Sequence, residues 1–377
     1  MSDSITSAEL EKLSRDGYML IDMRDGSAYE YGHIDGAVNI PQEALSSAEL
    51  PRDRKLIIYC RSGIISGEAA EELCGRGYDA CELAGGYVEW LRLKMENRQI
   101  TGAVELSLRK KLKKSIWCKF TKAINEYKLV QPNDRIAVCI SGGKDSMLMA
   151  KLFQELKRHD KFPFELVFLV MDPGYSPENR RVIEDNARSM SIPVHIFESE
   201  IFESVYNIEK NPCYICARMR RGYLYSQAKA LGCNKIALSH HFDDVIETIL
   251  MGMLYGGQVQ TMMPKLHSTN FEGMELIRPM YLIREADIKH WRDYNDLHFI
   301  QCACKFTDTC TTCEPDSRSV SKRLEIKNLI AELKKVNPQV EKNIFRSVEN
   351  VNVNTVIAYK DKEGVHRFTD DYDDTER

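Results

Sequence analysis

Two patterns of apolar spacing alternate along the chain. Continuous apolar runs of strand length occur at YMLIDMR (18–24) and KLIIYC (55–60), and segments with helical period, SAELEKLSRDG (7–17) and SGEAAEELCGRGY (66–78), lie around them. A strand buried on both faces reads as an unbroken apolar run, so this alternation predicts a small α/β unit with a parallel sheet over residues 1–100. The pattern then restarts. DRIAVCIS (134–141), FELVFLVMD (164–172), PVHIFES (193–199) and KIALSHH (235–241) read as strands, separated by helical segments such as SMLMAKLFQELKRH (146–159) and RRVIEDNARSM (180–190). A larger α/β domain over 115–352 follows from this second set. From Ser319 to Asn352, Leu324, Ile326, Leu329, Ile330 and Leu333 recur at helical spacing and predict an amphipathic helical segment. Residues 353–377 are expected to form a tail whose acidic, aperiodic end, FTDDYDDTER, is disordered.

Between the two α/β patterns, residues 101–114 read as a basic linker. The stretch Arg109–Lys122, RKKLKKSIWCKFTK, concentrates seven basic residues, which stands out because the chain of 377 residues has a formal net charge of −4. Overall charge gives no footprint for a nucleic acid, so such a partner has to be held by a local patch, and this stretch is the candidate, with a solvated helix face as the plain alternative. No run approaches the ~18 apolar residues of a membrane span, and the N-terminus lacks the basic and apolar regions of an export signal. A cytoplasmic location without a membrane partner is the expectation. Twelve cysteines in such a chain point to thiol chemistry or metal ligation in preference to disulfides.

Cys60 ends the run KLIIY and precedes RSGIIS and a helix. There the amides of the loop and the positive end of a helix converge on the sulfur, which favours thiolate and makes Cys60 a nucleophile candidate; a buried strand-end cysteine would have the same context. Ser141–Ser146, SGGKDS, follow a strand and open a helix. Gly142 and Gly143 allow close backbone approach to an anion. Ser141, Lys144, Asp145 and Ser146 complete a loop whose amides, ammonium and hydroxyls suit phosphate, although GxxxxGK[ST] is absent.

Met171 and Asp172 end the next strand, where open α/β folds receive nucleotides. His240, His241, Asp243 and Asp244 end the strand beginning at Lys235 and are expected to face the same crevice, the carboxylates holding Mg²⁺ and Lys235 or a histidine handling protons or charge. Cys213 and Cys216 form a CxxC, a redox pair or half of a metal site. Cys302, Cys304, Cys310 and Cys313 could alternatively form a zinc knot of their own. Cys74, Cys81, Cys118, Cys139 and Cys233 read as buried structural thiols.

DMRDGSAYEYGHIDGAVNIP, CRSGIIS and GGYVEW together resemble the rhodanese homology domain over residues 5–98. That resemblance implies sulfur acceptance at Cys60 and structural roles for Asp22, Arg24 and His33. Many members carry arginine where this loop has Ile64 or Ile65, which implies a protein persulfide, in preference to thiosulfate, as donor. SGGKDS resembles the PP-loop pyrophosphatases, and CARMRRGYLYSQAKALGCNKIALSHHFDDVIET with IRPMYLIREADI resembles the tRNA 2-thiocytidine synthase family over residues 115–352.

The implied fold is a rhodanese-like domain followed by a Rossmann-like PP-loop domain of the adenine nucleotide alpha hydrolase type. The implied activity is ATP-dependent thiolation of a tRNA pyrimidine, with catalytic Cys60, Lys235 and Asp243. The implied ATP and Mg²⁺ site comprises Ser141–Ser146, Met171, His240 and Asp244, and a [4Fe–4S] cluster would be held by Cys213, Cys216 and Cys302. Implied partners are tRNA and a persulfide donor such as a cysteine desulfurase, with room for a homodimer. Thiolation of another RNA position or of a small metabolite, and a non-catalytic sulfur carrier or redox sensor that binds nucleotide, stay open as alternatives.

Overall fold

The computed structural model describes residues 4–95, 100–199, 201, 212–300, 322–370 and 372. The chain divides into two compact units, Met1–Phe242 with Met263–Ser317, and Asp243–Met262 with Arg318–Arg377. The first unit carries two sheets. One contains β1 (Ser4–Ile5), β2 (Tyr18–Asp22), β3 (Val38–Asn39), β4 (Lys55–Tyr59) and β5 (Ala80–Leu83), all parallel in the order β1-β5-β4-β2-β3.

Strand alternation divides the central strand between two apolar layers. Leu56 and Ile58 join Ala69, Ala70 and Leu73 of α1 (Ile64–Gly75) on one face, and Ile57 and Tyr59 join Tyr87, Val88 and Leu91 of α2 (Gly86–Met95) on the other. The expected first helix is shorter than its apolar pattern: a single turn, Ser7–Leu10, capped by a reciprocal Thr6–Glu9 box, precedes a 3₁₀ turn at Arg15–Gly17.

The expected linker is a helix. Thr101–Arg109 forms α3, and Val104, Leu108, Leu112 and Ile116, four apart, are all buried. They join the layer beneath α2 to one continuous core with Phe120 of α4 (Cys118–Glu126) and Phe153 of α5 (Lys144–Arg158). The lysines interleaved with these residues disguise the stripe in the sequence. Burial along the stripe makes residues 101–114 part of the fold.

The second sheet has the order β10-β11-β9-β6-β7-β8, with β6 (Arg135–Ile140), β7 (Glu165–Asp172), β8 (Val194–Glu198), β9 (Lys235–Ala237), β10 (Lys265–His267) and β11 (Glu275–Ile277). All neighbours are parallel except β10 and β11. From β6 the chain winds outward to β7 and β8 and then returns to the other side at β9, which makes the carboxyl end of β6 a topological switch point. α5, α6 (Pro177–Ser189), α7 (Pro212–Ala230) and α8 (Phe242–Gly256) lie in its connections, and α9 (Glu285–Tyr294) follows its last strand.

In the second unit, α10 (Lys322–Val336) and α11 (Val340–Ser347) fulfil the helical expectation, but only Ile326 and Ile330 of the predicted stripe are buried, while Leu324, Leu329 and Leu333 are exposed. Beyond them, within the expected tail and ahead of its acidic end, β12 (Ala358–Lys360) and β13 (Val365–Arg367) form a hairpin. Most of FTDDYDDTER lies outside the described residues. Among the described residues no helix is long and apolar enough to cross a membrane.

Candidate active site

Ser141–Ser146 turn from β6 into α5 at the switch point. Gly142 has φ +84°, and a Cβ there would lie 2.5 Å from Ile183 Cγ1, so both backbone and space demand glycine. Gly143 caps α5 without a side-chain hydrogen bond, which leaves the first-turn amides without side-chain acceptors of the usual capping kind. The hydroxyl of Ser146 is occupied within the loop: it donates to Gly143 O at 3.0 Å and accepts from Ser141 N at 3.1 Å and Ser141 Oγ at 3.2 Å. Lys144 Nζ, nearly buried, lies 3.1 Å from Asp145 Oδ2 and 3.6 Å from Glu285 Oε1. The anion-binding capacity of this loop therefore resides in its amides, reinforced by the α5 dipole, more than in the ammonium and hydroxyls that the motif suggests. Lys144 N–H donates to the hydroxyl of Tyr31 from the N-terminal sheet domain, at 3.5 Å.

Ile140 pairs with Val170, which brings the end of β7 alongside the loop. Met171 is 2% exposed there, and Asp172 is committed to its own turn, with Oδ1 accepting from Gly174 N at 2.9 Å and Tyr175 N at 2.7 Å and Oδ2 lying 3.3 Å from Arg180. His240 and His241 follow β9 at the same end of the sheet, His241 buried.

Lys235 is a correction. It pairs with Ile136 at the amino end of the sheet, opposite the loop, and its buried Nζ lies 2.8 Å from Asp134, 3.2 Å from Glu275 and 3.0 Å from Leu129 O. Lys235 opens the three-residue strand β9 and the histidines follow its far end, so adjacency in sequence did not mean adjacency at one end of the sheet.

Asp243 and Asp244 open α8 and belong to the second unit. Arg323 of α10 lies 2.8 Å from Asp244 and 3.6 Å from Glu247, and Thr248 Oγ1 donates to Asp244 O at 2.7 Å. Burial pushes the Glu247 carboxyl up to about 7 against the pull of Arg323, with Asp244 adding to the rise. Sequence reasoning missed Arg323 and Glu247. Glu247, three and four residues beyond the aspartates on one helix, was within reach of a spacing argument; Arg323 was not.

In the N-terminal domain, Cys60 is 6% exposed and its Sγ accepts from Gly63 N at 3.2 Å and Ser66 Oγ at 3.4 Å. The loop's carbonyls are held by the start of α2, where Tyr87 N–H donates to Cys60 O at 3.0 Å and Val88 N–H to Arg61 O at 3.1 Å. Gly86, at φ +60°, permits this approach, because a Cβ there would come within 2.7 Å of Cys60 O. The sulfur thus faces two hydrogen-bond donors, while the carbonyls of Cys60 and Arg61 are taken up by the amides of α2. Asp22 and Arg24 form a buried pair, Arg24 Nε donating at 2.9 Å, with the guanidinium stacked 3.8 Å over Tyr87; His33 Nδ1 lies 2.9 Å from Tyr29 O. Ile64, beside this loop, is 74% exposed.

α7 contains Cys213 and Cys216, but their side chains, and all of Cys302, Cys304, Cys310 and Cys313, lie outside the described residues. Among the other cysteines, Cys81, Cys139 and Cys233 are buried as expected, and burial pushes the Cys139 thiol up to about 12. Cys74 and Cys118 are exposed, contrary to expectation, because they occupy the outer faces of α1 and α4.

A family model described as a PP-loop domain matches residues 112–305, and one described as a rhodanese-like domain matches residues 6–93. The tRNA-cytidine(32) 2-sulfurtransferase of Anaeromyxobacter dehalogenans is 34% identical over 233 residues, covering 61% of this chain and 77% of its own. That of Geobacter sulfurreducens is 33% identical over 234 residues, covering 61% and 87%. Among solved structures, a U34-tRNA thiolase from Methanococcus maripaludis with its [4Fe–4S] cluster is 22% identical, with a TM-score of 0.48 over 61% of this chain and 76% of that one.

Proposed function

Because the chain belongs to the tRNA 2-thiocytidine synthase family of PP-loop proteins, with a rhodanese-like domain ahead of it, we propose that it is an ATP-dependent tRNA sulfurtransferase converting a cytidine to 2-thiocytidine. The observation that carries this reading is the Ser141–Ser146 loop at the switch point, with the amides of α5 opening onto it and Gly142 packed too tightly for any side chain. The nucleotide's phosphates bind these amides, and Met171 and His240 line the adenylate side. The cytidine O2 attacks the α-phosphorus and pyrophosphate leaves; charge developing on it is stabilised by dipoles already oriented, without reorganisation at the moment of reaction. Asp243 and Asp244 are the carboxylates assigned to Mg²⁺.

Sulfur arrives as a persulfide on Cys60, from a protein donor such as a cysteine desulfurase. The amide of Gly63 and hydroxyl of Ser66 that reach Sγ support an anionic persulfide there. Attack of an external thiol on the inner sulfur of that persulfide releases the outer sulfur as sulfide and leaves Cys60 in a disulfide; Cys213, Cys216 and Cys302 would hold a [4Fe–4S] cluster, which would offer an iron coordination position to such a sulfide. Tethering the Cys60 domain to the ATP domain raises the local concentration of the sulfur carrier.

tRNA phosphates meet Lys110, Lys111, Lys113 and Lys114, which are exposed and have no ion-pair partner among the described residues; Arg109, Lys119 and Lys122 of the same stretch are paired with carboxylates. Arg218, Arg220 and Arg221 extend this set.

The test is nucleoside mass spectrometry of tRNA incubated with the anaerobically prepared protein, ATP and a cysteine desulfurase with cysteine. The expected product is 2-thiocytidine, formed only with ATP. Thio-bases other than 2-thiocytidine, or none in tRNA, contradict the assignment.

A further inference from the structure

We infer that Tyr31, in the rhodanese-like domain, is a phosphate-binding residue of the ATP site, its phenol O–H donating to a phosphate oxygen of the nucleotide held by Ser141–Ser146. The inference rests on the reading of that loop as the ATP cradle. Tyr31 ends the short helix Gly26–Tyr31, more than a hundred residues before the loop it meets. Its hydroxyl lies over the opening of α5: Lys144 N–H donates to Tyr31 Oη at 3.5 Å, and a Cβ on Gly143 would sit 3.9 Å from the same oxygen. The ring is held between two cations, with Lys144 Nζ 5.4 Å and Arg292 Cζ 5.6 Å from its centroid, and Arg292 Nη1 also donates to the Tyr31 carbonyl.

Three features make this hydroxyl a donor in waiting. It accepts from Lys144 but has no acceptor for its own proton among the described residues. Burial first, and then the nearby Asp145 carboxylate, push its pKa up, so the proton is retained throughout the physiological range. The bond it accepts is long for N–H···O, so surrendering it costs little. An incoming phosphate oxygen takes the Lys144 amide, and the phenol turns from acceptor to donor toward that oxygen, forming a charge-assisted bond without adding a positive charge.

The site would thereby span both domains. Next to Tyr31, the Gly32 carbonyl accepts from Arg24 at 2.8 Å, and the Arg24 guanidinium stacks on Tyr87, whose N–H holds the Cys60 carbonyl at 3.0 Å. Nucleotide binding and the sulfur-bearing loop thus share a chain of packed residues.

The test compares Tyr31→Phe with the wild-type full chain by calorimetric titration with Mg·ATP, with inorganic pyrophosphate and with adenosine. The substitution keeps the ring between its cations, so the melting temperature is expected to be unchanged. The inference predicts about tenfold weaker binding of ATP and of pyrophosphate, the effect of one hydrogen bond to a charged group, with adenosine unaffected. Equal affinities overturn it. So does tighter ATP binding, which would make Tyr31 a plug that the nucleotide displaces, and so does a loss shared equally by adenosine, which would mean general damage. A wild-type protein that binds neither ATP nor pyrophosphate overturns the cradle reading itself.

Discussion

Gly142 packs directly on Ile183: a methyl group at Gly142 would lie 2.5 Å from Ile183 Cγ1 and 3.0 Å from Cδ1. Ile183 is buried in α6, so the isoleucine cannot withdraw without opening the core. Gly142→Ala combines this overlap with a left-handed backbone that costs an L-residue about 1–2 kcal/mol. ATP-dependent pyrophosphate release is expected to fall more than tenfold, with a melting temperature several degrees lower. Ile183→Ala in the same chain should restore part of the pyrophosphate release, which a colorimetric assay reads directly.

Lys235 gives the opposite expectation. Its ammonium is enclosed by Asp134, Glu275 and the Leu129 carbonyl, so Lys235→Met leaves Asp134 without its ion-pair partner, Glu275 retaining Lys265 at 3.1 Å, and should cost about 3 kcal/mol. Urea denaturation should show the loss, while the turnover of the folded fraction stays near wild type. A turnover defect without loss of stability would return Lys235 to the chemistry.

Acid sensitivity should concentrate at Glu155. Burial alone would raise its pKa, but Arg158 and Arg109 outweigh it and bring the carboxyl down to about 2. A group depressed on folding stabilises the protein above its unfolded pKa, and that stabilisation is lost as pH falls from about 4.5 toward 2. Glu155→Gln should therefore lower the melting temperature at pH 7 by several degrees and by much less near pH 3. Equal losses at both pH values would contradict the assignment.

Four unpaired lysines predict a steep salt response. Replacing Lys113 and Lys114 with glutamate should weaken tRNA binding at least tenfold at low salt and flatten the plot of log affinity against log salt. Filter binding across a salt series measures both, and an unchanged slope removes the patch from the tRNA surface.

The residues that act through their own backbone neighbourhood were legible in the sequence. KLIIYC announced a central strand because both its faces are apolar, and Cys60 follows from where that strand ends. SGGKDS carries the first of its two glycines, Gly142, at the loop position where the backbone turns left-handed. What escaped depends on partners far along the chain. Tyr31 looks like an ordinary tyrosine of a helix end until Lys144 and Arg292 fold around it. Lys235 looked reactive beside HHFDD because a sequence does not say which end of a three-residue strand a side chain serves. The stripe Val104, Leu108, Leu112 and Ile116 was present in the letters, hidden by the lysines between them.

In the proposed reaction ATP activates the oxygen of a tRNA cytidine before sulfur replaces it. A tRNA carrying ¹⁸O at cytidine O2, turned over once with ATP and a cysteine desulfurase with cysteine, tests it most directly by mass spectrometry of the released AMP. One ¹⁸O atom is expected in the phosphate of AMP for each 2-thiocytidine formed. Label released into water, with unlabelled AMP, would contradict it.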